Sequence, residues 1–119
     1  MDKVLVIGAC GQLGSELTYG LSQVFDQDNV IASDISKPNN AIANFQFEKL
    51  DVMDAQNLAN IIDRHGITQV YHLAAILSAK GEENPHWAWN LNMTGLLNVL
   101  DIAKEKKLKK VYWPSSIAV

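Results

Sequence analysis

The stretch that decides the fold is Val6–Gly14, which reads VIGACGQLG. It overlaps the apolar run Lys3–Gly8, whose length and composition are typical of a strand buried on both faces. Residues Gln12 to about Phe25 then follow with helical spacing. Three glycines stand three residues apart where the strand gives way to the helix: Gly8, Gly11 and Gly14. This strand–turn–helix context favours a phosphate-binding turn over a chance pattern match.

Each glycine has its own expected role. Gly8 permits the tight turn off the strand, Gly11 lets a pyrophosphate approach the backbone, and Gly14 lets the helix lie close to the sheet. The N-terminus of the helix adds N–H groups and partial positive charge for the phosphates. The alternative is a structural turn that binds nothing. Asp34 argues against that alternative, because it ends the next strand, where a carboxylate accepts hydrogen bonds from ribose hydroxyls.

The same carboxylate indicates which dinucleotide binds. Asp34 would repel a 2′-phosphate, the segment Asp34–Pro38 contains no arginine, and Lys37 is its only cation. We therefore expect NAD rather than NADP. Cys10 lies between the glycines, where its small size is a sufficient reason for its presence and a redox role is less favoured.

The rest of the chain alternates strands with helices. Strands are predicted at Asn29–Ser33, Phe45–Leu50, Gln69–Leu73 and Lys110–Pro114, and helices at Ala55–His65 and from Pro85 to about Lys107. Asp54 is the expected N-cap of the second helix and Gly66 its stop. Five strands with this spacing predict a doubly wound parallel sheet in the order 3-2-1-4-5, with a ligand crevice between strands 1 and 4.

The helical periodicity also predicts which side chains face the core. These are Leu13, Leu17, Leu21 and Val24 in the first helix and Leu58, Ile61 and Ile62 in the second. Of the histidines, His72 is expected to be packed inside a strand, and His65 and His86 to be isolated on the surface.

Composition limits the remaining possibilities. The 119 residues are 48% hydrophobic, enough for one domain with one modest core. A net charge of −3 gives no basic surface for nucleic acid or an anionic membrane. No apolar run suits a signal peptide or a membrane span, and no cluster of ligands has metal-binding spacing. The single cysteine fits a reducing compartment, so we expect a cytoplasmic protein.

The motifs occur in a familiar order. The glycine pattern, Asp34, the pair Asp51-Val52 and the run His72-Leu73-Ala74-Ala75 resemble the extended short-chain dehydrogenase/reductase family, the NAD-dependent epimerase/dehydratase type, over the whole chain. The resemblance implies an NAD-binding Rossmann domain at residues 1–119, with Asp51 on the adenine amine and Val52 beside the ring. The expected cofactor-binding residues are Gly8, Gly11, Gln12, Leu13, Gly14, Asp34, Asp51, Val52, Leu73, Ala74, Ala75 and Asn92.

Two further segments resemble the substrate side of that family. Asn92–Asn98 resembles its NxxGxxN segment, which implies that Asn92 supports the active-site geometry. Ser115 and Ser116 resemble the start of its SSxxVYG segment, so Ser116 is the expected catalytic serine and Ser115 a substrate contact. Local helix bonding and ordinary turn chemistry are the alternatives for these three residues.

Within the family, Ala74–Glu105 and Trp113–Val119 most resemble the members that oxidise the 3-hydroxyl of L-threonine with NAD. There Ser78 is expected to line the substrate site. A sugar-nucleotide epimerase or dehydratase is the alternative.

The family's catalytic YxxxK pair has no counterpart here. The three tyrosines, Tyr19, Tyr71 and Tyr112, are followed four residues later by Gln, Ala and Ser. We therefore expect no threonine oxidation by this chain alone. The chain is then either the N-terminal part of a longer enzyme, without its later strands and small substrate domain, or a short protein that binds a nucleotide. A third possibility is an interaction module that pairs through the long helix. Full members commonly form homodimers through two helices, of which Asn84–Lys107 matches the first.

Overall fold

The computed structural model describes residues 2–73 and 85–113, with side chains from residue 92 onward in the second range. The strands are β1 (Val4–Ile7), β2 (Val30–Asp34), β3 (Gln46–Lys49), β4 (Gln69–His72) and β5 (Lys110–Tyr112). The helices are α1 (Gln12–Phe25), α2 (Ala55–His65) and α3 (Pro85–Lys106), with short 3₁₀ turns at Gln27–Asn29 and Asn40–Ile42. Each predicted strand and helix is found, with bounds shifted by at most two residues.

The five strands form one parallel sheet in the order β3-β2-β1-β4-β5, which confirms the predicted doubly wound α/β fold. β1 lies at the centre and pairs with both β2 and β4, with Ile7 opposite Ser33 on one side and His72 on the other. Because the strands are parallel, all their carboxyl ends meet at one edge of the sheet. The glycine turn and the residues that follow β2, β3 and β4 therefore share this edge.

The core has two layers, one on each face of the sheet. Alternate residues of β1 point to opposite faces, so Leu5 and Ile7 join one layer while Val4 and Val6 join the other. The first layer packs under α2 and α3, and the second under α1. All four residues of β1 are at most 1% exposed, which explains why this strand reads as an uninterrupted apolar run.

The ends of α2 are those that the sequence predicts. The Asp54 side chain accepts a hydrogen bond from the Asn57 N–H at 3.1 Å and caps the helix. Gly66 adopts a left-handed conformation with φ 64°, and its N–H donates to the Ile62 carbonyl. The predicted inward residues Leu58, Ile61 and Ile62 are buried.

The predicted inward face of α1 is wrong in part. Leu13 is 59% exposed and Val24 75% exposed, whereas Gly14 and Thr18 are buried beside Leu21. The cause is the close contact of Gly14 with the turn after β1, which fixes the rotation of the helix. Thr18 tolerates burial because its hydroxyl donates to the Gly14 carbonyl at 2.7 Å.

His65 is not the isolated surface residue that we predicted. Its Nε2 lies 2.6 Å from Glu48 Oε2, and Arg64 Nη1 lies 2.7 Å from the same oxygen. This cluster ties the end of α2 to β3. Burial opposes ionisation of Glu48, but the hydrogen bonds from His65 and Arg64 outweigh it and lower the pKa of the Glu48 carboxyl.

Candidate cofactor-binding site

Gly8 makes the turn off β1. Its φ of 88° lies in the region that L-amino acids with side chains avoid. The N–H groups of Gly8 and Ala9 both donate to the Ser33 carbonyl at 2.9 Å, which fastens the turn to the end of β2. Gly8 is therefore required by backbone conformation, as the sequence predicts.

Gly14 is required by packing. A Cβ built at this position would lie 2.0 Å from the Gly8 carbonyl oxygen and 2.9 Å from the Ala9 Cα. These are backbone atoms, which cannot move aside as the end of a flexible side chain can. The start of α1 therefore lies against the β1 turn at a distance that only glycine permits.

Gly11 differs from the other two glycines. Its φ of −71° and ψ of 167° are open to any residue, and an added Cβ would meet only the Gly8 carbonyl oxygen, at an ordinary 3.7 Å. Nothing among the described residues requires a glycine here. A Cβ would instead occupy open space beside the first turn of α1.

The first turn of α1 is suited to an anion. It has no side-chain cap and no acidic residue, and Gly11, Gln12 and Leu13 are exposed. The opening N–H groups of a helix have no carbonyl four residues earlier within the helix to receive them. The turn therefore presents donors and partial positive charge toward open space, and phosphate oxygens fit it.

Asp34 is fixed against this turn. Its Oδ2 accepts the Cys10 N–H at 2.9 Å and its Oδ1 accepts the Ser36 N–H at 3.0 Å. A carboxylate has about four acceptor sites, so these two bonds leave capacity for ribose hydroxyls. Asp34 thus holds the glycine turn in place as well as ending β2.

Cys10 and Asn39 connect the glycine turn to the loop after β2. Asn39 Nδ2 donates to the Cys10 carbonyl at 2.9 Å, and the Cys10 thiol donates to the Lys37 carbonyl at 3.2 Å. Burial and the neighbouring Asp34 charge raise the pKa of the Cys10 thiol. The thiol therefore stays protonated near neutral pH and acts as a packing and hydrogen-bonding group.

The residues after β3 are positioned by α3. Asn98 Nδ2 donates to the Val52 carbonyl at 3.0 Å, and a Cβ on the buried Gly95 would lie 2.7 Å from Val52 Cγ1. Gly95 therefore serves close packing. Asp51 is exposed and its Oδ1 accepts the Met53 N–H at 2.9 Å. The Leu50 N–H donates to the Asp34 carbonyl at 2.9 Å, which brings this segment beside Asp34.

His72 is buried at the end of β4, as predicted. It is 6% exposed, and its Nδ1 has no hydrogen-bond partner among the described residues. Burial lowers the pKa of His72 to about 4, so the imidazole is neutral at neutral pH. The next residue, Leu73, donates its N–H to the Ile7 carbonyl at 2.8 Å and so lies beside the start of the glycine turn.

The predicted site residues divide into two groups. The structure brings together, at the carboxyl edge of the sheet, the glycine turn with Gln12 and Leu13, Asp34, the segment Asp51–Val52, and Leu73. Asn92 lies half-buried on α3 and has an interaction partner. The remaining predicted residues, Ala74, Ala75, Ser78, Ser115 and Ser116, lie outside the described residues, as does the His86 side chain.

Sequence reasoning missed Asn39 and Asn98. Asn98 ends the NxxGxxN pattern, so a signal for it was present, but the pattern does not say what the side chain contacts. Asn39 stands in a loop with other asparagines and carries no signal of its own. Within residues 2–73 and 85–113 no group of three His, Cys, Asp or Glu is arranged to hold a metal ion. The helices of the same ranges include none able to cross a membrane.

Comparison with known sequences identifies the family of this chain. The profile of the NAD dependent epimerase/dehydratase family matches residues 4–119. The chain belongs to this family. An uncharacterized epimerase/dehydratase of Staphylococcus saprophyticus is 42% identical over 119 residues, which cover 98% of this chain and 37% of the relative.

Two solved structures of similar proteins are L-threonine dehydrogenases. The GalE-like L-threonine dehydrogenase from Cupriavidus necator, in its holo form, is 51% identical with a TM-score of 0.91, over 98% of this chain and 38% of that one. The L-threonine dehydrogenase from Clostridium difficile is 45% identical with a TM-score of 0.89, over 99% and 37%. This epimerase/dehydratase-family chain thus spans little more than a third of the length of its relatives.

Proposed function

We propose that this chain binds NAD and forms the cofactor site of a dehydrogenase that oxidises L-threonine to 2-amino-3-oxobutanoate. The observation that carries NAD binding is the open backbone at Gly11 beside the fixed Asp34 carboxylate. The choice of L-threonine is supported by the 51% and 45% identity to L-threonine dehydrogenases.

In this proposal each part of the sheet edge binds one part of the dinucleotide. The N–H groups at the start of α1 hold the pyrophosphate, with Gly11 allowing its approach. Asp34 accepts hydrogen bonds from the adenosine ribose, and its charge disfavours the 2′-phosphate of NADP. Asp51 accepts a hydrogen bond from the adenine amine and Val52 lies beside the ring, with Leu73, Ala74 and Ala75 near the ribose and phosphates.

The substrate side rests on resemblance. NAD, when bound, supplies the hydride acceptor for the reaction. Ser116 donates a hydrogen bond to the reacting oxygen of the substrate, Ser115 and Ser78 contact the substrate, and Asn92 supports this arrangement. The proposal assigns the general base to residues beyond these 119, because no tyrosine here has lysine four residues on.

Two measurements on the protein expressed from its own gene test this proposal. Calorimetric titration should show NAD binding more tightly than NADP, and Asp34→Ala should weaken NAD binding. NADH should then form when L-threonine is added. Absence of NAD binding would overturn the whole proposal, whereas NAD binding without NADH formation would overturn only the threonine assignment.

A sugar-nucleotide epimerase or dehydratase is the second candidate. It is supported by the family profile and by the epimerase/dehydratase description of the Staphylococcus saprophyticus relative. Incubation with UDP-sugars, followed by chromatography of the products, separates the two. An epimerised or dehydrated sugar without net NADH formation would favour this candidate.

The proposal also includes a cytoplasmic homodimer that associates through α3. It rests on the resemblance to family members that pair through two helices, and the 51% exposed Leu97 of α3 offers a position at which to test it. Light scattering should give a mass twice that of the chain. Leu97→Lys should shift the protein toward monomer, and an unchanged monomer mass in the wild type would contradict the dimer.

A further inference from the structure

The Asn39 side chain lies between two loops and is fixed at both ends. Its Nδ2 donates to the Cys10 carbonyl at 2.9 Å, and its Oδ1 accepts the Ala41 N–H at 3.1 Å. The second bond caps the 3₁₀ turn Asn40–Ile42, which is anchored because Ile42 is completely buried. The amide of Asn39 is therefore a rigid support for the carbonyl that it holds.

That carbonyl belongs to the peptide that leads into Gly11. In a trans peptide the C=O and the following N–H point in opposite directions within one plane. Holding the Cys10 oxygen toward Asn39 therefore also fixes the direction of the Gly11 N–H. The Gly11 N–H points into the turn and donates to the Gly8 carbonyl at 3.4 Å. If this plane turned over, the Gly11 N–H would lose that acceptor and the Cys10 oxygen would face the Gly8 oxygen, so the turn that leads into α1 would change shape.

The flanking peptide is held separately. The Cys10 N–H belongs to the preceding peptide and donates to Asp34 Oδ2 at 2.9 Å. Asp34 therefore keeps its position and its capacity for ribose hydroxyls when the Asn39 bond is lost. The two contacts affect different parts of a bound dinucleotide.

We propose that Asn39 is a positioning residue for the pyrophosphate, which it serves by fixing the plane of the Cys10–Gly11 peptide; this rests on the proposed NAD binding. Asn39 itself touches no phosphate. Loss of the Asn39 amide should therefore weaken the binding of ligands that carry a pyrophosphate. It should leave unchanged the binding of ligands that carry only adenine and its ribose.

Asn39→Ser tests the proposal in the protein expressed from its own gene. Serine keeps a side-chain oxygen to cap the 3₁₀ turn but loses the amide that holds the Cys10 carbonyl. The neighbouring exposed residue supplies a matched control, Asn40→Ser. Dissociation constants are measured for NAD, ADP and adenosine, with the thermal midpoint of each variant as a check on folding.

We expect Asn39→Ser to weaken binding of NAD and ADP by about fivefold, because binding must then order the turn without a support worth about one neutral hydrogen bond. Binding of adenosine and all constants of Asn40→Ser should stay within twofold of wild type. An equal loss for adenosine and ADP, or no loss for either, would overturn the proposal. If Asn39→Ser does not fold, Asn39→Thr answers the same question, because it keeps a side-chain oxygen for the cap, lacks the amide donor and adds no charge. A wild-type protein that binds neither NAD nor ADP would refute the proposed function instead.

Discussion

Gly11 and Gly14 stand at the start and the end of the first turn of α1, and an added methyl group should affect stability at Gly14 but not at Gly11. In Gly11→Ala the Cβ meets only one atom, at 3.7 Å, and the backbone already has φ −71° and ψ 167°. Alanine restricts the unfolded chain, which stabilises by about 0.4–1 kcal/mol, and is a poorer N-cap than glycine, which costs a similar amount. We therefore expect the free energy of unfolding to stay within about 1 kcal/mol of wild type.

Gly14→Ala should instead destabilise the fold. Its Cβ would lie 2.0 Å from the Gly8 oxygen, so the backbone of α1 or of the turn must shift. Overpacking costs about 1–3 kcal/mol when side chains can adjust, and more here because the opposing atoms are backbone. Urea unfolding should therefore show a loss of about 3 kcal/mol or more.

Ligand binding completes the comparison. The Gly11 methyl group stands where the pyrophosphate is proposed to approach, so it displaces at least one charge-assisted hydrogen bond of about 1.5–3 kcal/mol. Calorimetry should show NAD binding weakened by about 10- to 150-fold in a protein that is still folded. Normal NAD affinity in Gly11→Ala would refute this account of Gly11, and loss of folding in Gly11→Ala would refute the structural basis for it.

Three further predictions follow from other contacts. Gly95→Ala should lower the free energy of unfolding by about 1–2 kcal/mol, because its Cβ would lie 2.7 Å from Val52 Cγ1. Adding Val52→Ala should recover most of that loss in urea unfolding. A double variant no more stable than Gly95→Ala would exclude this contact as the cause. The neutral His72, with a pKa of about 4 against about 6.5 unfolded, contributes stability that is present above pH 6.5 and lost as the pH falls toward 4. Between pH 7 and pH 5 the wild type should therefore lose about 2 kcal/mol more than His72→Asn, and equal losses would show that His72 is not buried. Asp34→Asn should lower the ratio of NAD affinity to NADP affinity by about tenfold in calorimetric titration, and an unchanged ratio would mean that Asp34 only holds the Cys10 N–H.

The sequence predicted the ends of α2 and the place of the glycine turn because these depend on local signals. It predicted the strand order because strands that alternate with helices are joined by right-handed crossovers. An apolar strand, a capping aspartate and a left-handed glycine each have a recognisable pattern over a few residues. Asp34 could be placed at the sheet edge for the same reason, since parallel strands bring their carboxyl ends together. The helix ends and the glycine turn follow from hydrogen bonding and burial within single elements, and the position of Asp34 follows from the parallel arrangement of the strands.

The errors arose where distant segments meet. Leu13 and Val24 fit a helical stripe, but the contact of Gly14 with the β1 turn rotates α1 and leaves both side chains exposed. Periodicity shows which residues share a face, whereas packing against the sheet decides which face is inward. His65 likewise appeared isolated because its partner Glu48 lies on another element, 17 positions away.

The sequence by itself determined the doubly wound sheet, the glycine turn and the carboxylate that ends β2. Only the tertiary structure showed which side chains of α1 face inward, and that Asn39 and Asn98 hold the turn and the segment after β3. The physical reason is range. Backbone conformation and hydrophobic periodicity are set by neighbours in the chain, whereas the inward face of a helix, and the partner of a side-chain amide, depend on segments that folding brings together.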